Sequence, residues 1–264
     1  MSSIEKLKKI INNRVVCIIA RGKSAETLEE RIEEFKDYDI CWASLNLFEA
    51  GEHIVNKIGK ELSIASDCSN VKNPKNYEPE VRLPRFEKYL QKDDNVLLIS
   101  ETVIKDTFYN QNRTRLLKQY SEKIAIIENI FRHKDAPKSI WDAPPNSITL
   151  LFAACIAGGA KKIICFGYDG LKGVDATQRT FLDKHCVDTY YKSDLEKKDR
   201  MIASGSSEIG SLATDSYFFE RDWLKLEKMY KEVYKNDCEI VNCSPGTMFT
   251  VIRSIDYEQL KSSF

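Results

Sequence analysis

The sequence predicts an α/β fold, a Rossmann-like, doubly wound and mostly parallel sheet with a lid insertion, on three observations. Short apolar runs rich in β-branched residues alternate with helical patterns along the whole chain. The first run, Val15 to Ala20, passes into Arg21-Gly22-Lys23-Ser24 and then into a helical pattern, the strand, loop and helix with which such sheets begin. The stretch Asn146 to Gly170, NSITLLFAACIAGGAKKIICFGYDG, reads as helix, turn and buried strand. It delivers Asp169 to the strand's carboxyl end, where open parallel sheets place ligands.

Composition narrows the class. With 264 residues, 42% hydrophobic and 10% aromatic, the chain can bury a sizeable core, and we treat residues 1–264 as a single domain. Lys plus Arg equals Asp plus Glu at 40 each, so no global basic field points to nucleic acid, and an anion site must be local. No apolar run approaches the roughly 20 residues that span a bilayer. The start, MSSIEKLKKIINNR, lacks a signal-peptide core and reads as an amphipathic helix packed on the domain, a peripheral membrane contact being its other use. The eight cysteines form no CxxC pair, and Cys17, Cys155 and Cys165 fall in apolar runs. They read as reduced core residues of a cytoplasmic protein, and their spacing suggests no zinc site.

In chain order, a helix is expected over Thr27 to Phe35, capped by Ser24, and a second strand over Tyr38 to Ser44 that ends at Asn46. A helix Leu47 to Lys60 leads to a third strand, Leu62 to Ala65. Residues 67 to 80 read as loop, followed by a helix near Pro84 to Gln91, a strand Asn95 to Ser100, one long helix Thr102 to Tyr120 and a strand near Ile124 to Glu128. Phe131 to Pro145 reads as loop. Asn146 and Ser147 head the helix Ile148 to Ala157, Gly158 and Gly159 end it, and the strand Ile163 to Phe166 stops at Gly167. Residues 171 to 214 are polar, charged and without strong periodicity, which directly after a strand's carboxyl end suggests a lid. A helix Tyr217 to Tyr234, a strand Glu239 to Asn242, a turn Cys243-Ser244-Pro245-Gly246 and a helix from Asp256 complete the chain.

The candidate site follows from strand ends. Gly22 permits a tight turn, and Gly22, Ser24 and Ser147 offer amides and small side chains for a ribose or phosphate. Asn46 can donate to and accept from a base or ribose. In the lid, Arg179, Lys184, His185, Tyr190 and Tyr191 offer charge and hydroxyls for a departing phosphate. His185 is the only lid histidine and the candidate general base. The glycines do not form GxGxxG, and the spacing GxxxxGK[ST] is missing, which argues against a dinucleotide site and excludes a P-loop.

Several stretches together resemble a known family. ARGKSAETL is similar to the GxGPSL loop of bacterial sialyltransferases of the Campylobacter type and of the related motility-associated (MAF/DUF115) proteins, and ASLN to the end of their second strand. NSITLLFAACIAGGAKKIICFGYDG resembles their serine-headed helix and following strand, and EIVNCSPGTMFTVI their closing strand and turn. The resemblance implies a nucleotide-sugar-binding Rossmann-like fold and a glycosyltransferase. A CMP-activated nonulosonic acid is then the donor, a glycan or protein the acceptor, with no metal required. Asn146, Ser147, Gly167 and Asp169 join Gly22, Ser24 and Asn46 as nucleotide-binding residues under this reading, and homo-oligomers are compatible with it. Two departures stand out. SLATDSYFFERDW lacks the histidine that serves the sialyltransferases as base, and no tyrosine follows Asp169 closely. The segment ATDSYFFERDWLKLEKMY resembles instead the motility-associated branch, itself similar to the archaeal 6-hydroxymethylpterin diphosphokinases. That kinship implies one alternative, pyrophosphoryl transfer from ATP with Mg²⁺ at Asp169 or neighbouring carboxylates, and the missing histidine gives another, a nucleotide-binding module without catalysis.

Overall fold

Among the described residues of this computed structural model, eight strands form one sheet: β1 (Val15–Ile19), β2 (Ile40–Leu45), β3 (Leu62–Asp67), β4 (Val96–Ile99), β5 (Ile124–Ile126), β6 (Lys162–Phe166), β7 (Glu239–Asn242) and β8 (Arg253–Ser254). The structure describes residues 1–20, 22, 24–46, 48–67, 79–108, 114–131, 147–169, 224, 226–247, 251–262 and 264. The strand order is β5-β4-β3-β2-β1-β6-β7-β8, and every adjacent pair is parallel. The chain builds outward from β1 to β5 and then crosses back to lay β6 on the other side of β1. Loops leaving β1 and β6 therefore diverge to opposite faces, and a crevice opens between them at the carboxyl edge.

Alternation along each strand fills both faces. Val16 and Ile18 face one side with Cys41, Ala43, Ile163 and Cys165; Val15, Cys17 and Ile19 face the other with Trp42, Ile164 and Phe166. Helices α1 (Ser3–Ile11), α7 (Glu128–Phe131), α8 (Ser147–Ala157) and α9 (residues 226–234) cover the first face. The second is covered by α2 (Ala25–Arg31) with its 3₁₀ continuation Ile32–Phe35, α3 (Glu49–Asn56), α4 (Pro79–Leu90), α5 (Glu101–Phe108), α6 (Thr114–Gln119) and α10 (Tyr257–Lys261). A sheet covered on both faces explains why its strands read as continuous apolar runs.

The amphipathic start does pack on the domain. Helix α1 opens with a capping box between Ser2 and Glu5 and buries Leu7 and Ile11. It also closes the edge of the sheet. In a parallel ladder the N–H and C=O of one residue point the same way, and the Ile127 amide donates inward to Ile99 O, so Ile124 and Ile126 point outward. The Ile126 amide donates to Ser3 Oγ at 2.9 Å, and Lys6 Nζ donates to Ile124 O at 2.8 Å. These contacts shield an otherwise open strand edge from pairing with another chain.

Helix α8 is apolar on all sides and buried from Ile148 to Ala157. It ends as the glycine pair predicts: Gly159 has φ +82°, its amide donates to Ile156 O, and the Ala160 amide donates to Cys155 O. Because the helix finishes just before β6 begins, its start, Ser147, belongs to the carboxyl edge of the sheet.

Several boundaries differ from expectation. The helix expected near Pro84 begins already at Pro79, where a missing N–H is tolerated in the first turn, and carries Pro84 inside it. Of the single helix expected over Thr102 to Tyr120, the structure describes α5 and α6, and residues 109–113 lie outside the described residues. The short helix α7 extends to Phe131, where loop was expected to begin. Strand β8 went unread because two residues carry no periodicity. The lid, residues 171–214, lies outside the described residues.

Six cysteines, Cys17, Cys41, Cys155, Cys165, Cys238 and Cys243, are free and buried. Burial pushes the thiols of Cys41 and Cys238 up to about 11 and that of Cys243 up to about 12. Titration of the native protein with a thiol reagent at pH 8 should therefore label no more than the remaining two, Cys68 and Cys186, with all eight reacting after denaturation. Rapid labelling of three or more in the native state would contradict this packing.

Candidate functional site

The crevice between β1 and β6 is organised by one carboxylate. Asp169, three residues beyond the end of β6, reaches across to the loop after β1: Oδ2 accepts from the Ser24 amide at 2.9 Å, and Oδ1 accepts from the Ser24 hydroxyl. The Gly22 amide donates to Gly167 O at 2.7 Å, and the Ala20 amide to Phe166 O at 2.8 Å. Two loops that leave the sheet in opposite directions are thus stitched together across the switch point.

Glycine is required on both sides of this seam. A Cβ at Gly22 would lie 2.5 Å from Asp169 Oδ2 and 2.5 Å from Gly167 O. Gly167 has φ +68°, and a Cβ there would lie 2.7 Å from Ala20 O. The glycine after β1 therefore serves closeness between two loops of the protein itself. The amides of Gly22 and Ser24, assigned from sequence to a ribose or phosphate, are engaged within the chain. Ser24 does not cap α2 with its side chain, contrary to expectation, because its hydroxyl is drawn to the charged Asp169.

Asn46 ends β2 on the same edge. Its φ of +61° is a left-handed conformation that asparagine tolerates better than other side-chain-bearing residues. The Asn46 amide donates to Ser66 O, and Asn46 O accepts from the Phe48 amide at 2.9 Å. The carboxamide oxygen is buried without a hydrogen-bond partner among the described residues. Ser147 stands at the start of α8 on this edge by topology. Asn146, Arg179, Lys184, His185, Tyr190 and Tyr191 lie outside the described residues.

Two groups that sequence reasoning missed stand at the same carboxyl edge of the sheet. Asp67, at the carboxyl end of β3, forms a buried pair with Arg82 of α4 at 3.3 Å, the two side chains 0% and 3% exposed. Three residues on, Arg85 pairs with Glu49, donates to Asn46 O at 3.4 Å and lies over the Phe48 ring. The i, i+3 spacing of the two arginines in VRLPRF, after a strand ending in aspartate, was the available signal. On the far side of β6, Asn242 Nδ2 donates to Tyr168 O at 2.9 Å and to Thr247 Oγ1 at 3.0 Å, and the Tyr168 amide donates to Ser244 Oγ at 2.8 Å. The turn that holds Thr247 closes with its amide on Ser244 O, with Pro245 and Gly246 (φ +73°) in the middle positions of a type II pattern.

No family model matches this sequence, and no curated protein matches it. Among solved structures the chain is similar to the sialyltransferase CstII from Campylobacter jejuni, solved with the substrate analogue cytidine-5'-monophosphate. The match has 19% identity, covers 66% of this chain and 76% of that one, and has a TM-score of 0.39. The α/β Rossmann-like architecture stands on the sheet described above. Among the described residues no helix is long and apolar enough to cross a membrane.

Gly22→Ala should destabilise the protein by about 1–3 kcal/mol, the usual cost of forcing an added methyl into a closed contact. Urea unfolding measures it; an unchanged midpoint would mean that the loops are not in this contact.

Proposed function

We propose that the protein is a glycosyltransferase that takes a nucleotide-activated sugar in the crevice at the carboxyl edge, with a CMP-activated nonulosonic acid as the donor class. One observation carries the reading. The described residues of the stretches ARGKSAETL, ASLN, NSITLL, GYDG and NCSPGT, scattered from residue 20 to residue 247, come to the carboxyl edge of one parallel sheet at or beside its switch point. These are also the stretches that carry the resemblance to the sialyltransferases.

In the transfer, the acceptor hydroxyl oxygen bonds to the anomeric carbon while the bond from that carbon to the phosphate oxygen breaks. The hydroxyl proton goes to a base, and the nucleotide monophosphate leaves. Asn46, with its unpartnered carboxamide oxygen, is the group assigned to the base or ribose, an amino or hydroxyl hydrogen being what that atom lacks. The roles of His185 as base and of Arg179, Tyr190 and Tyr191 at the leaving phosphate rest on sequence alone. Ser24 and Asp169 hold one another, so their part is to shape the crevice wall.

The pyrophosphokinase alternative needs Asp169 or its neighbours to hold Mg²⁺. Both Asp169 oxygens already accept from Ser24, and among the described residues no group of three or more His, Cys, Asp or Glu could hold a metal. The described residues do not fit that centre.

Thermal unfolding with CMP, CDP, UDP and ATP, each with and without Mg²⁺, tests the assignment. Stabilisation by cytidine nucleotides without metal is expected; stabilisation by ATP with Mg²⁺ alone would overturn it in favour of the kinase. Asn46→Ala should weaken binding of the stabilising nucleotide by about 1–3 kcal/mol, read by calorimetry. An unchanged dissociation constant would remove Asn46 from the site.

A further inference from the structure

We infer that the turn after β7 is a positioning element for the crevice, with Asn242, Ser244 and Thr247 setting where the Asp169 carboxylate meets Ser24. Strand β6 ends at Phe166, and its pairing with β7 stops at Cys165 opposite Asn242. Beyond that point no further β6–β7 pair is formed among the described residues, yet Tyr168 is buried and its backbone groups must be satisfied. Side chains from β7 and its turn continue the ladder. The Tyr168 amide donates to Ser244 Oγ at 2.8 Å, while Tyr168 O accepts from Asn242 Nδ2 at 2.9 Å and from Thr247 Oγ1 at 2.8 Å.

These bonds fix two consecutive peptide planes. The first, between Gly167 and Tyr168, is held at its oxygen by the Gly22 amide and at its nitrogen by Ser244. The second, between Tyr168 and Asp169, is held at its oxygen by Asn242 and Thr247. A peptide plane carries the next Cα with it, so the position of Asp169 Cα is determined and only side-chain rotation remains. The carboxylate then meets both donors of Ser24.

The choice of residue argues for positioning over mere packing. Asn242 is 0% exposed in a strand reading EIVN, where a β-branched apolar side chain would fill the core without bringing a polar group out of water. Its carboxamide is kept there to donate twice, to Tyr168 O and to the Thr247 hydroxyl that makes the second bond to the same oxygen. The turn thus controls the crevice from the side opposite the β1 loop. Its bearing on ligand binding rests on the proposed function; the coupling itself does not.

Amide hydrogen exchange of Ser24, resolved by NMR in the absence of nucleotide, tests the coupling separately from the function. Thr247→Val keeps the shape and removes one donor; Asn242→Asp removes both donors of the carboxamide. In each, the Ser24 amide should exchange about tenfold faster while amides of Cys17 and Ile164 in the centre of the sheet keep their protection. Thr247→Ser, which retains the hydroxyl, should restore the Ser24 rate. Unchanged Ser24 protection in Thr247→Val overturns the inference. So does equal acceleration at Ser24, Cys17 and Ile164, which would make the turn a general stabiliser. Failure of Asn242→Asp to fold leaves Thr247→Val and Thr247→Ser to decide. Should no nucleotide bind, the proposed function falls while the exchange result stands.

Discussion

A parallel sheet that reverses its direction of growth must hold apart, and yet hold together, the two loops that leave it at the reversal. Here the Asp169 carboxylate meets that constraint by accepting from both the amide and the hydroxyl of Ser24. The short approach it needs is possible only because Gly22 and Gly167 present no side chains to it. Everything else at the carboxyl edge is arranged around this seam: the β7 turn behind it, Asn46 and the Arg85–Glu49 pair on the β2 side, and the start of α8 beside it.

The seam changes what the loop after β1 can do. In many nucleotide-binding folds the start of the first helix receives a phosphate through free amides. In this chain the corresponding amides of Gly22 and Ser24 are bonded to the end of β6 and are not free for a ligand. Among the described residues the Asn46 carboxamide oxygen, one strand away, is one of the buried polar atoms without a hydrogen-bond partner.

Much of the fold was legible in the sequence because burial on both faces writes strands as unbroken apolar runs. Val15 to Ala20, Ile163 to Phe166 and Glu239 to Asn242 were read within a residue of their observed limits. The glycine pair at 158 and 159 foretold the helix end through its backbone conformation. What escaped depends on partners distant in sequence. Ser24 has the signature of a helix cap, and nothing local announces that a carboxylate 145 residues away claims its hydroxyl. Asp67 and Arg82 likewise sit in segments that look like loop and surface helix, and they become a buried pair only once β3 and α4 are packed. The two-residue β8 is defined by its register with β7 and by no pattern of its own.

The central claim is that ligand recognition sits at the carboxyl edge of the β1/β6 crossing. Backbone chemical-shift mapping during titration with CMP addresses it most directly. The account predicts the largest shifts at Gly22, Ser24, Asn46, Gly167 and Asp169, with little change at Asn13, Arg14, Gly159 and Lys161 on the opposite edge of the same strands. Shifts concentrated on that opposite edge, or none anywhere at millimolar nucleotide, would contradict it.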